Sequence, residues 1–103
     1  MRRAVERFNG SDERRKIAGL IRSLGEPRAA VSPDAARQVA LVTVAWELSW
    51  YQWEVRLLDE PARVRSVAKG SELDQLAESD RRWNARADGD GRLQLAAGRN
   101  GAV

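Results

Sequence analysis

The first strong pattern of hydrophobic residues lies in residues 11–24 and predicts an amphipathic helix. Its large apolar residues recur at i, i+3, i+4 and i+7, at Ile17, Leu20, Ile21 and Leu24. This spacing places them on one face of a helix. Gly25 and Pro27 follow, and such residues commonly end a helix. Gly19 lies inside the helix, and we expect it to allow close packing against a neighbouring element.

Residues 39–57 alternate between apolar and polar positions and predict one long strand. Even-numbered positions are apolar from Val42 to Trp50, and odd-numbered positions are apolar from Tyr51 to Leu57. A β-bulge near Trp50 and Tyr51 would absorb this slip and keep the apolar side chains on one face. The segment contains no Gly, Pro, Asn or Asp. Because an uninterrupted segment of this length also suits a helix, a long buried helix is the alternative interpretation.

Two further elements are predicted after the long strand. A strand over residues 63–68 would return antiparallel to the second half of that strand. Residues 71–80 then predict a second helix with a short apolar face. Ser71 and Asp74 have the spacing of a capping box, although Asp replaces the preferred Glu or Gln.

The C-terminal part of the chain predicts a β-hairpin. Residues 82–87 and 92–96 alternate in hydrophobicity and flank the sequence Asp-Gly-Asp-Gly at residues 88–91. This sequence has a superficial likeness to a calcium-binding loop, but it lacks the other ligands of an EF-hand. We therefore interpret it as a hairpin turn. Residues 97–103 are small and polar, and we expect a flexible tail.

These elements together predict an α+β fold. We expect an antiparallel sheet that contains one long, bulged, Trp-rich strand over residues 39–57. The helices over residues 11–24 and 71–80 would pack on one face of that sheet, because strands and helices do not alternate in βαβ fashion. The chain has 103 residues, which suits a single small domain over residues 1–96.

The composition excludes several kinds of functional site. The chain has no cysteine and no histidine. It therefore has no disulfide, no thiolate nucleophile and no metal site built from Cys or His, and it lacks the commonest general base. A Gly-rich phosphate loop, a zinc-binding pattern and a nucleophile elbow are also missing from the sequence. We expect no metal, no cofactor and no enzymatic activity.

The location of the protein is predicted from its hydrophobic segments. No apolar run approaches the roughly 20 residues that a membrane-spanning helix needs. The basic N-terminal residues 1–10 lack the hydrophobic segment of a secretory signal. We therefore expect a cytoplasmic protein that does not bind membranes.

The aromatic residues of the long strand form the most distinctive cluster. Four of the six aromatic residues of the chain lie within eight positions, at Trp46, Trp50, Tyr51 and Trp53. Such rings fill the core of a small domain, anchor a protein interface, or stack on bases and sugars. We expect that these rings do not all share one core.

Charged residues supply two weaker candidate sites. Glu47 and Glu54 lie among the aromatic rings, where a carboxyl group can act as a general acid, although solvation or an ion pair with Arg is the usual outcome. Arg14, Arg15 and Arg22 belong to a basic N-terminal region that would suit phosphate groups. Nearby acidic residues dilute that charge, and local ion pairs are the ordinary alternative.

Three functional hypotheses follow from these features. The first is a non-enzymatic interaction module that forms a homodimer, or binds another protein, through its Trp-rich strand, because spare aromatic surface generally marks an interface. The second is a nucleic-acid-binding protein that uses the Arg-rich N-terminal helix. The third is a small-ligand-binding protein or enzyme with a Trp-lined pocket.

Overall fold

A computed structural model of the protein describes residues 2–58 and 63–96. The described residues form two α-helices and a six-stranded antiparallel sheet, which confirms the predicted α+β class. The helices are α1 (Arg2–Asn9) and α2 (Glu13–Leu24). The strands are β1 (Arg28–Asp34), β2 (Val39–Trp46), β3 (Ser49–Arg56), β4 (Arg63–Gly70), β5 (Ala85–Ala87) and β6 (Leu93–Leu95). Their order in the sheet is β4-β3-β2-β1-β5-β6.

Both helices cover one face of the sheet. Helix α2 confirms the predicted helix over residues 11–24 and ends at Gly25, whose N–H donates to the carbonyl of Ile21. Helix α1 was not predicted, although it buries Phe8 against the same face. The apolar side chains of the two helices pack against alternate residues of β1, β2 and β3, and this cluster is the main core.

The predicted long strand over residues 39–57 is corrected by the structure, because this segment is a hairpin of two central strands. Strands β2 and β3 pair antiparallel, with Trp46 opposite Ser49 and a two-residue turn at Glu47 and Leu48. Opposite residues of a hairpin lie on the same face, so this turn moves the apolar positions from even to odd numbers. The turn therefore accounts for the slip that the sequence analysis attributed to a bulge.

The bulge itself lies elsewhere. Strand β4 pairs with β3 as predicted, but the register shifts between Gln52 and Trp53. Ser66 and Ala68 face these two residues, so Val67 is the extra residue on β4. Strand β4 is an edge strand, and Val67 is exposed.

The predicted helix over residues 71–80 is also corrected. The segment forms two short 3₁₀ turns, Leu73–Gln75 and Glu78–Arg81, separated by extended backbone at Leu76 and Ala77. The extended backbone accompanies the burial of Leu76 against Trp50 on the sheet face opposite the helices. The segment therefore covers the second face of the sheet instead of joining α2 on the first.

Strands β5 and β6 confirm the predicted C-terminal hairpin. The Asp88 carboxylate accepts hydrogen bonds from the backbone N–H groups of Asp90 and Arg92, which closes the turn. This supports the interpretation of residues 88–91 as a turn. The tail predicted over residues 97–103 lies outside the described residues.

Candidate functional site

The tryptophans of the Trp-rich segment are buried and divide between the two faces of the sheet. Trp46 and Trp53 belong to the core under the helices, whereas Trp50 belongs to the cluster on the opposite face. Tyr51 is half-buried beside Trp46 and Trp53, with ring centroids 6.1 and 6.3 Å away. The structure therefore offers no continuous platform of exposed rings on which bases or sugars would stack.

The indoles of Trp46, Trp50 and Trp53 also tie other segments to the sheet. The Nε1–H of Trp46 donates to the carbonyl of Gly25 at 2.7 Å, and that of Trp50 donates to the carbonyl of Glu72 at 2.9 Å. The Nε1–H of Trp53 donates to the carboxylate of Glu13 at 2.9 Å. These bonds tie the end of α2, the start of the first 3₁₀ turn and the start of α2 to the central hairpin, which is a structural role.

The two candidate carboxylates occupy different environments. Glu47 is exposed in the β2–β3 turn. Glu54 is only 2% exposed and lies on the sheet face opposite the helices. Its carboxylate binds the Arg37 guanidinium at 2.8 Å and the Arg65 guanidinium at 3.4 Å. An ion pair with Arg was the ordinary outcome considered from the sequence, and both carboxylate oxygens of Glu54 take part in it.

A buried polar group that the sequence analysis did not identify lies beside Glu54 on the same face. The Gln52 amide donates to the hydroxyl of Thr43 at 3.1 Å and to the carboxylate of Asp80 at 3.0 Å. The alternating pattern did place Thr43 and Gln52 on the polar side of their strands. They are buried because the segment that contains Asp80 covers that side, which strand periodicity does not reveal.

The three candidate arginines lie on α2 but do not form one cluster. Arg14 is partly buried and donates from Nη1 to the carbonyl of Asp90 at 3.0 Å, so it contacts the β5–β6 turn. Arg15 and Arg22 are exposed. They are seven residues, or about two helical turns, apart, so their side chains leave the helix in nearly the same direction. That direction is about a quarter of a turn from the direction of Arg14.

A surface with two exposed leucines at the hairpin end of the sheet is the strongest candidate site. Leu48, in the β2–β3 turn, is 78% exposed, and Leu24, at the end of α2, is 49% exposed. Both line a hollow of about 500 Å³, together with Glu26, Arg28, Ala45, Trp46, Glu47, Ser49 and Leu73. We call this set of residues the hairpin-end surface.

The turn that carries Leu48 is unusual in its chemistry. Two-residue hairpin turns favour Asn or Gly, since the common types need positive φ. Neither Glu47 nor Leu48 has positive φ. An exposed leucine is therefore held at the tip of a tight turn where a small polar residue is the usual choice. Residue type alone gives no signal of this turn, which is why the sequence analysis placed Leu48 inside a strand.

Charged residues also line this hollow. Glu47 and Arg28 both line it, and neither forms an ion pair with any residue that the structure describes. The Arg28 guanidinium lies 5.9 Å from the centre of the Trp83 ring. Glu26, on the same rim, accepts a long, exposed contact of 3.4 Å from Arg86. The hairpin-end surface thus combines exposed leucines with an unpaired acid and an unpaired base.

A metal-binding cluster and a membrane-spanning helix are both absent from the part of the chain that the structure describes. Residues 2–58 and 63–96 contain no group of three or more acidic side chains placed to hold a metal ion. In the same residues, neither helix is long and apolar enough to cross a membrane.

Comparison of the chain with protein-family models, with curated proteins and with solved structures finds no match.

Proposed function

We propose that this protein is a non-enzymatic interaction module that forms a symmetric homodimer through the hairpin-end surface. The observation that supports this proposal is that a protruding leucine and a hollow that is partly apolar lie on the same surface. Around a two-fold axis, Leu48 of each copy would enter the hollow of the other, beside Trp46 and Leu73. A surface that carries both the projection and the recess is self-complementary, which a two-fold interface requires.

The charges on the rim favour a second copy of this chain as the partner. Glu47 and Arg28 form no ion pair with the described residues of their own copy, and a two-fold arrangement would bring Glu47 of each copy toward Arg28 of the other. Such pairing contributes mainly to the orientation of the complex and to its rate of formation. A partner of one uniform charge would satisfy only one of these two residues.

The apolar contribution predicts a dimer of modest affinity. Complete burial of a leucine side chain stabilises a complex by about 1.5–3 kcal/mol. Leu24 and Leu48 of both copies already hide part of their surface, so their joint contribution is about 4–8 kcal/mol. This is similar in size to the free energy lost when two molecules associate. We therefore expect a dimer that dissociates on dilution.

Light scattering over a dilution series tests the proposal. We expect a mass near 23 kDa at high concentration, which is about twice the 11.5 kDa of one chain. The variant Leu48→Asp should remain near 11.5 kDa at every concentration. Leu58→Asp is the matched control, because Leu58 is 67% exposed and does not line the hollow. A monomeric wild-type protein, or a dimer that survives Leu48→Asp, would overturn the proposal.

The other predictions from the sequence have less support. Arg14 is engaged with the β5–β6 turn, so the nucleic-acid hypothesis depends on Arg15 and Arg22. It predicts salt-sensitive retention on DNA or RNA that disappears when these two residues are changed to Ala. The cytoplasmic location and the lack of enzymatic activity stay predictions.

A further inference from the structure

A second apolar hollow lies on the helix side of the sheet, between α2 and the edge strand β4. Its volume is about 470 Å³, and most of its lining is apolar. Leu20 and Gly19 of α2 form one wall, and Trp53 of β3 contributes to the opposite side. The complete lining is Lys16, Gly19, Leu20, Tyr51, Trp53, Ser66 and Lys69, which we call the α2–β4 groove.

Gly19 is not explained by packing within the chain. Glycine inside a helix costs about 1 kcal/mol relative to alanine. The sequence analysis expected a close neighbour to justify it, but a Cβ atom at this position would meet nothing within 4 Å. The missing side chain leaves the α2–β4 groove open instead. An occupant from outside the chain would use this space.

Polar groups without partners lie at one end of the groove. Tyr51 and Lys69 are directly opposite each other in the pairing of β3 with β4. Among the described residues, nothing pairs with the Lys69 ammonium group or hydrogen-bonds to the Tyr51 hydroxyl. Both residues also line an adjoining shallow hollow with Gly70 and Ser71, so the groove continues past them.

At the other end of the groove, the positive charge of Lys16 already has an acidic partner. Lys16 lies 3.1 Å from the Glu13 carboxylate, which also accepts the hydrogen bond from Trp53. Lys16 and Lys69 are the only lysines of the chain, and both line this groove. Of these two lysines, Lys69 is therefore the one that has no ion pair with the described residues.

We propose that the α2–β4 groove binds a small amphipathic organic anion. Its apolar body, aromatic or branched, would lie against Trp53 and Leu20 in the space that Gly19 leaves open. Its carboxylate or sulfonate would accept hydrogen bonds from the Lys69 ammonium group and the Tyr51 hydroxyl. The groove and the hairpin-end surface share no lining residue, so this site does not depend on the proposed dimer.

Two fluorescent probes of nearly the same shape test the site. 8-Anilinonaphthalene-1-sulfonate is an amphipathic anion, and N-phenyl-1-naphthylamine has the same ring skeleton without the charge. We expect Lys69→Met to weaken binding of the sulfonate about tenfold and to change binding of the neutral probe by less than about twofold. Gly19→Leu, which fills the space beside Leu20, should weaken both probes about tenfold or more.

Two control variants show whether the weaker probe binding reflects a site in the groove. Arg15→Met removes the same charge from an exposed position outside the groove and should leave both affinities unchanged. Gly19→Ala adds one carbon where there is room and should keep most of the binding. Thermal unfolding of each variant shows that it remains folded.

Three results would overturn the proposal. In the first, Lys69→Met and Arg15→Met weaken the sulfonate equally. In the second, Gly19→Leu binds both probes as the wild type does. In the third, Leu48→Asp removes probe binding, since that result would place the probe on the hairpin-end surface. A wild-type protein that is monomeric at every concentration but binds both probes would contradict only the proposed function.

Discussion

Gly91 lies in the turn between β5 and β6, and its substitution tests how closely this turn packs against α2. Gly91 has φ +77°, and a Cβ atom there would collide with the backbone carbonyl oxygen of Arg14 and come within 3.0 Å of the Ala18 nitrogen. Both atoms belong to the backbone of α2, so rotation of a side chain does not relieve the collision. Gly91→Ala must therefore move the turn or the helix.

The expected cost combines two effects. Left-handed backbone conformation costs an L-amino acid about 1–2 kcal/mol. Overpacking against a rigid neighbour typically costs about 1–3 kcal/mol more. We therefore expect Gly91→Ala to lower the free energy of unfolding by about 2–5 kcal/mol, out of a total of about 5–15 kcal/mol for a domain. The corresponding fall in Tm is at least about 8 °C.

Gly89 provides a matched control within the same turn. A Cβ atom at Gly89 would meet nothing within 4 Å, and its φ is not in the left-handed region. Gly89→Ala should therefore change the free energy of unfolding by less than about 0.5 kcal/mol. Urea unfolding followed by tryptophan fluorescence measures both variants. Equal stabilities for the two would refute the packing of this turn against α2.

Three further predictions concern stability and are checked by the same unfolding experiment. Asp80→Ala removes one of the two acceptors of the buried Gln52 amide and should cost about 1–3 kcal/mol; a neutral effect would contradict the hydrogen bond between Gln52 and Asp80. Trp53→Phe loses the charge-assisted bond to Glu13 and part of a packed ring, and should cost about 2–4 kcal/mol, whereas a loss under 1 kcal/mol would contradict that role. Gly19→Ala should raise stability by up to about 1 kcal/mol, because the new methyl group meets no atom; destabilisation would show that packing requires the glycine.

The elements that the sequence predicted well have local signals. Helix α2 has both its apolar spacing and Gly25 as a stop, and the β5–β6 hairpin has a Gly-rich turn between alternating segments. Strand β4 was also predicted, as a strand over residues 63–68 that returns antiparallel after a turn. For these elements, hydrophobic periodicity and turn residues were sufficient to predict the secondary structure.

The elements that were missed depend on contacts between distant segments. The turn at Glu47 and Leu48 has neither glycine nor asparagine, so only the phase slip indicated it. Helix α1 is one short amphipathic run that gains its stability from packing on the sheet. Residues 71–80 contain helix-forming residues, but burial of Leu76 against Trp50 favours an extended break between two 3₁₀ turns.

The candidate sites also divide into residues that the sequence makes conspicuous and residues that only the fold brings together. The sequence singled out the tryptophans because they are conspicuous, yet all three on β2 and β3 are buried. Leu24 and Leu48 were assigned to apolar stripes, and only the fold shows that they are exposed beside one hollow. Lys69 gave no signal, since its importance arises from the pairing of β4 with β3.

The most direct test of the proposed dimer is an isotope-filtered NOESY experiment on an equal mixture of ¹³C-labelled and unlabelled protein. We expect contacts between the Leu48 methyl groups of one copy and the Trp46 ring of the other. These signals should vanish in Leu48→Asp and persist in Leu58→Asp. At a concentration where light scattering gives a dimer mass, spectra without any contact from Leu48 to the second copy would contradict the account.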